Sequence, residues 1–216
     1  MNCVVTAGPT CEPLDEVRRL TNFSTGRLGS ELANVLMDRG HHVILLLGNH
    51  STYQGPQNVR QIVRFSTAND LREKLESLSR QQIGAVFHAA AVSDFAFGKV
   101  WTRLPTGQLS EMNSRKISSR ETNLLAELIP TPKIIGSLRQ WFPTACLVGW
   151  KYEVEGDRAS AIAAAQQQVL ENGTNVCVVN GPAYGHGFGL LNREGCCTHL
   201  LDSRTLEDAL AEMIGK

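Results

Sequence analysis

The sequence has no surplus charge of either sign: 21 Lys and Arg balance 21 Asp and Glu over 216 residues. That balance removes the electrostatic footprint of a nucleic-acid binder. No apolar run approaches the roughly 20 residues that a membrane-spanning helix needs. A basic leader followed by an apolar stretch is also missing, because Met1-Asn2-Cys3-Val4-Val5 already reads as a strand. The six cysteines contain no Cys-x-x-Cys pair, and most lie in or beside apolar strand-like runs, where reduced core thiols sit. Cys196-Cys197-Thr198-His199 fits no zinc spacing, and the histidines are scattered, so no metal site is expected. These absences predict a cytoplasmic chain with reduced thiols and neither membrane nor nucleic acid as a partner. With 42% hydrophobic and 19% charged residues, disorder is excluded and a single domain over 1–216 is expected.

Three nucleotide signatures are absent as well. There is no complete Gly-x-Gly-x-x-Gly, and the second strand ends in Leu47-Gly48-Asn49 without an acid to hold a ribose. Tyr53, Tyr152 and Tyr184 are followed four residues on by Gln57, Gly156 and Phe188, never by Lys. A Walker A loop is missing too. Dinucleotide-dependent reduction is therefore only an alternative reading.

What is present is alternation. Strand-like runs at Cys3–Ala7, Val43–Leu47, Val59–Phe65, Ala85–Ala90, Ala145–Trp150 and Val176–Asn180 are separated by helix-like segments. The helix from Gly26 to Arg39-Gly40 carries Leu28, Leu32, Val35 and Leu36 at a spacing of 3–4 residues. This order predicts an α/β fold, Rossmann-like and doubly wound on a mostly parallel sheet. Residues 93–122 read as a long structureless arm, a lid or a dimerisation element. Leu124–Leu138 reads as helical, broken at Pro130 and Pro132. A Gly-rich loop is expected over Gly181–Gly189.

Ligands of open α/β sheets bind at the carboxyl ends of the strands. Four segments fall there. Gly8-Pro9-Thr10 leads to Asn22-Phe23-Ser24-Thr25-Gly26, where a glycine and a helix N-terminus offer N–H groups to a phosphate. Ala89-Ala90-Ala91-Val92-Ser93-Asp94 offers flat backbone, with a carboxylate for a ribose hydroxyl or a metal-bound water. Ser114-Arg115-Lys116-Ile117 carries a lysine that matters if the arm folds over phosphates. Asn180-Gly181-Pro182 and Gly187-Phe188-Gly189 complete the set.

Taken in order, these segments resemble the phosphopantothenate–cysteine ligases (phosphopantothenoylcysteine synthetases) of coenzyme A biosynthesis. The likeness runs from Val4 to His199, and rests on Thr6-Ala7-Gly8-Pro9-Thr10 with Glu12-Pro13, Val17-Arg18, Asn22–Arg27, Ala89–Phe95 and Lys116-Ile117. It implies that a nucleoside triphosphate, CTP or ATP with Mg²⁺, activates the carboxylate of 4'-phosphopantothenate, and that cysteine then takes the acyl group. Asn22, Lys116 and Arg18 match the family's catalytic positions. Gly8, Pro9, Thr10, Ser24, Thr25, Gly26, Ala90, Ala91, Val92, Asp94, Pro132, Trp150, Asn180 and Phe188 match its nucleotide- and phosphate-binding stretches. The resemblance further implies a free-standing ligase without flavin, and a homodimer.

The chain departs from the bacterial pattern in several places. Gln168 and Asn172 stand where a Lys-x-x-x-Lys pair is expected, Thr131-Pro132-Lys133 where Asn-Pro-Asp is, and Gly149-Trp150-Lys151-Tyr152-Glu153 where Gly-Phe-Ala-Ala-Glu is. Lys133 and Lys151 are candidates to supply the missing positive charge. A non-catalytic nucleotide-binding paralogue is the other reading these departures leave open.

Overall fold

The computed structural model describes residues 1–112, 115–118 and 123–215. In chain order the elements are β1 (Asn2–Ala7), β2 (Cys11–Pro13), β3 (Arg19–Thr21), α1 (Arg27–Asp38), β4 (His42–Gly48), β5 (Gln61–Phe65), α2 (Ala68–Leu78), β6 (Ala85–His88) and β7 (Phe95–Arg103). There follow β8 (Leu109–Met112), β9 (Leu124–Pro130), α3 (Ile134–Trp141), β10 (Cys146–Tyr152), α4 (Arg158–Asn172), β11 (Val176–Asn180), β12 (Phe188–Asn192), β13 (Cys197–Leu200) and α5 (Ser203–Met213).

Eight strands form the main sheet in the order β13-β12-β11-β10-β6-β1-β4-β5. The six from β5 to β11 are parallel, and β12 and β13 add an antiparallel edge. The expected doubly wound α/β fold is the one observed. Strands β1, β4, β6, β10 and β11 are apolar almost throughout because helices cover both faces. On one face Val5, Leu45, Phe87 and Val148 pack under Leu32 and Leu36 of α1 and Leu206 and Leu210 of α5. On the other, Val4, Leu46, Val86 and Leu147 pack under Leu71 and Leu75 of α2 and Ile134 and Leu138 of α3.

Strand order reverses between β1 and β6, and that reversal opens a crevice above their carboxyl ends. Three glycines shape it. Gly8 ends β1 with φ 81°, and Gly26 starts α1 with φ 81°; both lie in the left-handed region that favours glycine. Gly29 lets α1 lie against β1, since a Cβ there would come within 2.7 Å of Ala7 Cβ and 3.0 Å of Thr6 O. The glycine fingerprint that is missing as a linear motif is therefore present in space. Residues 9–25, which include the β2–β3 hairpin, are inserted between its first two glycines.

The structure corrects the reading of residues 93–138. The stretch taken for a structureless arm holds β7 and β8, and the first half of the expected helix is β9; together they form an antiparallel sheet in the order β8-β7-β9. The helix-favouring Leu124-Leu125-Ala126-Glu127 run is overridden by pairing with β7. Gly98 looks like a breaker but sits at the irregularity between Phe97 and Val100. Helix α3 begins only after Pro132. Strand β12 occupies the end of the expected Gly-rich loop and the Leu190-Leu191 pair beyond it.

Candidate functional site

A cavity of about 1290 Å³ lies over the carboxyl ends of β6, β10 and β11. That exceeds the ~300–1,000 Å³ usual for one small ligand, so it has room for two substrates together. Asn22, Ser24, Thr25, Gly26, Ala90, Ala91, Val92, Asp94, Pro132, Trp150, Asn180 and Phe188 all line it. These expected residues come from the insertion, the segment after β6, the approach to α3, the ends of β10 and β11 and the start of the antiparallel β12, so the fold alone brings them together.

Gly8, Pro9 and Thr10 are beneath this surface instead of on it. Gly8 O accepts from Ala91 N at 3.0 Å, and Thr10 N donates to Ala91 O at 3.0 Å. Thr10 Oγ1 accepts from Ser93 N at 2.8 Å. The segment therefore braces the Ala89–Asp94 wall from below. Asn22 is held against the same wall, its Nδ2 donating to Ala91 O at 3.1 Å. It does not cap α1, whose N-cap is Gly26 with no side-chain hydrogen bond. Phe23 stands fully exposed at the cavity's edge.

The starts of α1, α3 and α5 all reach the cavity. Helices α2, α4 and α5 are capped by Thr67, Asp157 and Asp202. Helices α1 and α3, whose first residues line the cavity, have no side-chain cap. At α1 the Arg27 N–H donates to Thr25 Oγ1 at 3.3 Å, so the N–H groups offered to a ligand begin at Leu28, and a helix N-terminus favours an anion. Ser24 and Thr25 add hydroxyls beside the start of α1.

Three cationic side chains line the cavity, each paired with a carboxylate. Arg27 Nε meets Glu31 Oε1 at 2.9 Å, Lys151 Nζ meets Glu153 Oε1 at 3.0 Å, and Lys133 Nζ meets Asp94 Oδ1. The Lys133–Asp94 pair is solvent-exposed, so phosphate groups can replace the carboxylate at little cost. Gln168 lines the cavity, with its Nε2 on Cys177 Sγ at 3.1 Å, whereas Asn172 donates to Gln168 O. Among the described residues no group of three His, Cys, Asp or Glu side chains could hold a metal ion.

Arg18 and Lys116 do not line the cavity. Arg18 is engaged by Asp15 at 2.8 Å and by Ile117 O, which ties the expected lysine segment to the β2–β3 hairpin. The sequence reading missed Asp15, whose buried carboxylate organises that contact. It also missed His88, a buried side chain on the cavity floor; burial lowers its pKa to about 4 and keeps the ring neutral. The available signal was its position, directly before the Ala89-Ala90-Ala91 turn at a strand end.

The family described as the DNA/pantothenate metabolism flavoprotein C-terminal domain matches residues 1–208. The coenzyme A biosynthesis bifunctional protein CoaBC of Thermococcus kodakarensis is 33% identical over 179 residues, 82% of this chain and 40% of that protein. The chain thus spans less than half the length of that relative. A DNA/pantothenate metabolism flavoprotein from Streptococcus pneumoniae has a similar structure, with a TM-score of 0.85 at 25% identity over 99% of this chain and 98% of that one. A Cab2 variant in complex with phosphopantothenate-cysteine shares the fold, with a TM-score of 0.72 at 19% identity, covering 99% and 84% of the two chains. Among the described residues no helix is long and apolar enough to cross a membrane.

Proposed function

Because the chain belongs to the family of DNA/pantothenate metabolism flavoprotein C-terminal domains, we propose that it joins 4'-phosphopantothenate to cysteine through an acyl-nucleotide. The observation that carries this reading is the convergence of the uncapped start of α1, Asn22 and the Ala89–Asp94 wall in one cavity sized for two substrates.

In the first step a carboxylate oxygen of phosphopantothenate attacks the α-phosphorus of CTP or ATP, and pyrophosphate leaves. In the second the cysteine amine attacks the acyl carbon, the nucleoside monophosphate leaves with the C–O bonding pair, and the nitrogen loses a proton. The phosphate of phosphopantothenate rests at the start of α1, on the Leu28 N–H with the hydroxyls of Ser24 and Thr25. Asn22 turns its amide from Ala91 O to the acyl oxygen, where negative charge develops in the second step. Lys133 and Lys151 exchange their carboxylates for triphosphate oxygens, the role that Gln168 and Asn172 cannot fill. Lys116 approaches from the 115–118 segment that Asp15 and Arg18 secure. Mg²⁺ fits this donor set, since it is usually bound by one or two carboxylates and substrate phosphates; Asp94 would hold it, and it would neutralise charge on the leaving pyrophosphate.

One face of the small sheet β8-β7-β9 exposes Phe95, Leu124 and Leu128. An apolar patch of this kind suits a second copy of the chain, so a homodimer is the proposed assembly. Pyrophosphate release measured with phosphopantothenate, cysteine and each of CTP and ATP tests the activity. No release with either nucleotide leaves the paralogue reading.

A further inference from the structure

His88 lies at the point where strand order reverses: it ends β6 and stands opposite Thr6 of β1. Thr6 is fully buried, and its Oγ1 accepts from Ala90 N at 3.0 Å. The hydroxyl hydrogen then has His88 Nδ1, also at 3.0 Å, as its acceptor. Thr6 Oγ1 can accept twice, but its O–H has no other acceptor among the described residues, so the arrangement that satisfies both buried groups runs from Ala90 N–H to Thr6 Oγ1 and from Thr6 O–H to His88 Nδ1. In that arrangement the neutral imidazole carries its proton on Nε2. Nε2 has no partner among the described residues, and the ring lines the cavity.

The surroundings select the class of ligand atom. Ala90, Val92, Ile134 and Ile135 pack on the same side of the sheet as Val86, and all four line the cavity. The uncapped start of α1 lies over the opposite face, the side of Leu32 and Leu36. A fixed neutral donor beside the side chains of Ala90, Val92, Ile134 and Ile135 suits an uncharged ring with acceptor atoms, while phosphate charge is better served at the helix starts and by the lysines, Lys133 at the start of α3 among them. We propose that His88 is a specificity-determining residue of the site, its Nε2–H donating to an acceptor atom of the nucleobase. This rests on the reading of the cavity as a nucleoside triphosphate site.

The test is titration calorimetry of the full chain with CTP, ATP, inorganic tripolyphosphate and 4'-phosphopantothenate, together with ¹⁵N spectra of the histidine rings. His88→Leu should bind the preferred nucleotide about tenfold more weakly, with tripolyphosphate and phosphopantothenate unchanged. His88→Gln, which puts an amide nitrogen close to the position of Nε2, should recover most of that loss. Thr6→Val frees both Nδ1 and the Ala90 N–H and should weaken the nucleotide, whereas Thr6→Ser, which keeps both hydrogen bonds, should bind it like wild type. The wild-type spectrum, which depends on no variant, should show His88 protonated on Nε2. A proton on Nδ1, an unchanged nucleotide affinity in His88→Leu, or an equal loss for tripolyphosphate overturns the proposal. A wild-type chain that binds neither CTP nor ATP overturns the functional reading as well, an outcome separate from these.

Discussion

The carboxylate of Asp15 and the backbone N–H of Ile117, 102 residues apart in the chain, meet at 3.1 Å. The same carboxylate accepts from Val17 N at 2.8 Å, Arg18 N at 2.6 Å and the Arg18 guanidinium at 2.8 and 3.1 Å. Burial alone would raise its pKa. The backbone N–H donors and Arg18 outweigh that and hold it at about 2. Asp15 thus joins Arg18, which reaches Ile117 O, and Glu16 N, which donates to Arg115 O at 3.0 Å, in attaching the lysine-bearing segment to the hairpin inserted before α1.

Replacing that carboxylate should loosen the segment. Asp15→Ala is expected to speed tryptic cleavage after Arg115 about tenfold. The pH dependence follows from the lowered pKa. Stabilisation by Asp15 is complete above the unfolded value near 4 and is lost as pH falls through about 2. The difference in Tm between wild type and Asp15→Asn should therefore shrink to nothing between pH 5 and pH 2. A constant difference would mean that Asp15 acts by packing and not by charge.

Glu207 gives the opposite sign. It is buried on α5, its Oε1 has no partner among the described residues, and burial followed by repulsion from Glu31 raises its pKa to about 7. Ionising it costs stability as pH rises from its unfolded value near 4.5 through 7. Glu207→Gln should raise Tm at pH 8 by about 3–6 °C and have little effect at pH 4.5. Thermal melts at the two pH values decide it, and an equal effect at both removes the titration from the account.

Gly26 and Gly40 separate ligand approach from backbone strain. Both have positive φ, 81° and 88°. A Cβ on Gly26 would run into Ser51 Oγ behind the cavity wall and push the Ser24–Leu28 turn out of place, whereas one on Gly40 meets nothing within 4 Å. Each change to Ala should cost about 1–3 kcal/mol of stability. Only Gly26→Ala should also weaken phosphopantothenate binding, by at least about tenfold. Calorimetry that finds equal affinities for the two variants would remove the phosphate from the start of α1.

Asn22 tests the second chemical step. With its amide on Ala91 O and no role as a cap, Asn22→Asp should fold normally. A carboxylate beside the developing oxyanion should slow cysteine attack about 10²–10³-fold. Mass spectrometry of a single turnover should find acyl-nucleotide that persists after cysteine is added. Normal product formation would leave Asn22 a structural residue.

Lys116 belongs to the first step. Lys116→Gln is expected to keep the wild-type Tm and to lose pyrophosphate release at saturating nucleotide by about 10²-fold or more. Release close to wild type would end its assignment.

The parallel sheet, the helix after Gly26 and the order of the site segments were legible in the sequence, because buried strands and amphipathic helices write their period into a single stretch of chain. The contents of 93–138 were not. Strands β7, β8 and β9 form an exposed small sheet whose pairing is decided by partners up to 35 residues apart, such as Phe95 with Pro130, against the local helical preference of β9. The glycine fingerprint escaped a linear search because residues 9–25 interrupt it, and only the fold sets Gly8 against Gly26. Asp15 and His88 show the same division. Sequence supplies a carboxylate and an imidazole, but which atoms face them, and so which charge and which proton they hold, depends on contacts made once Ile117 and Thr6 are brought alongside.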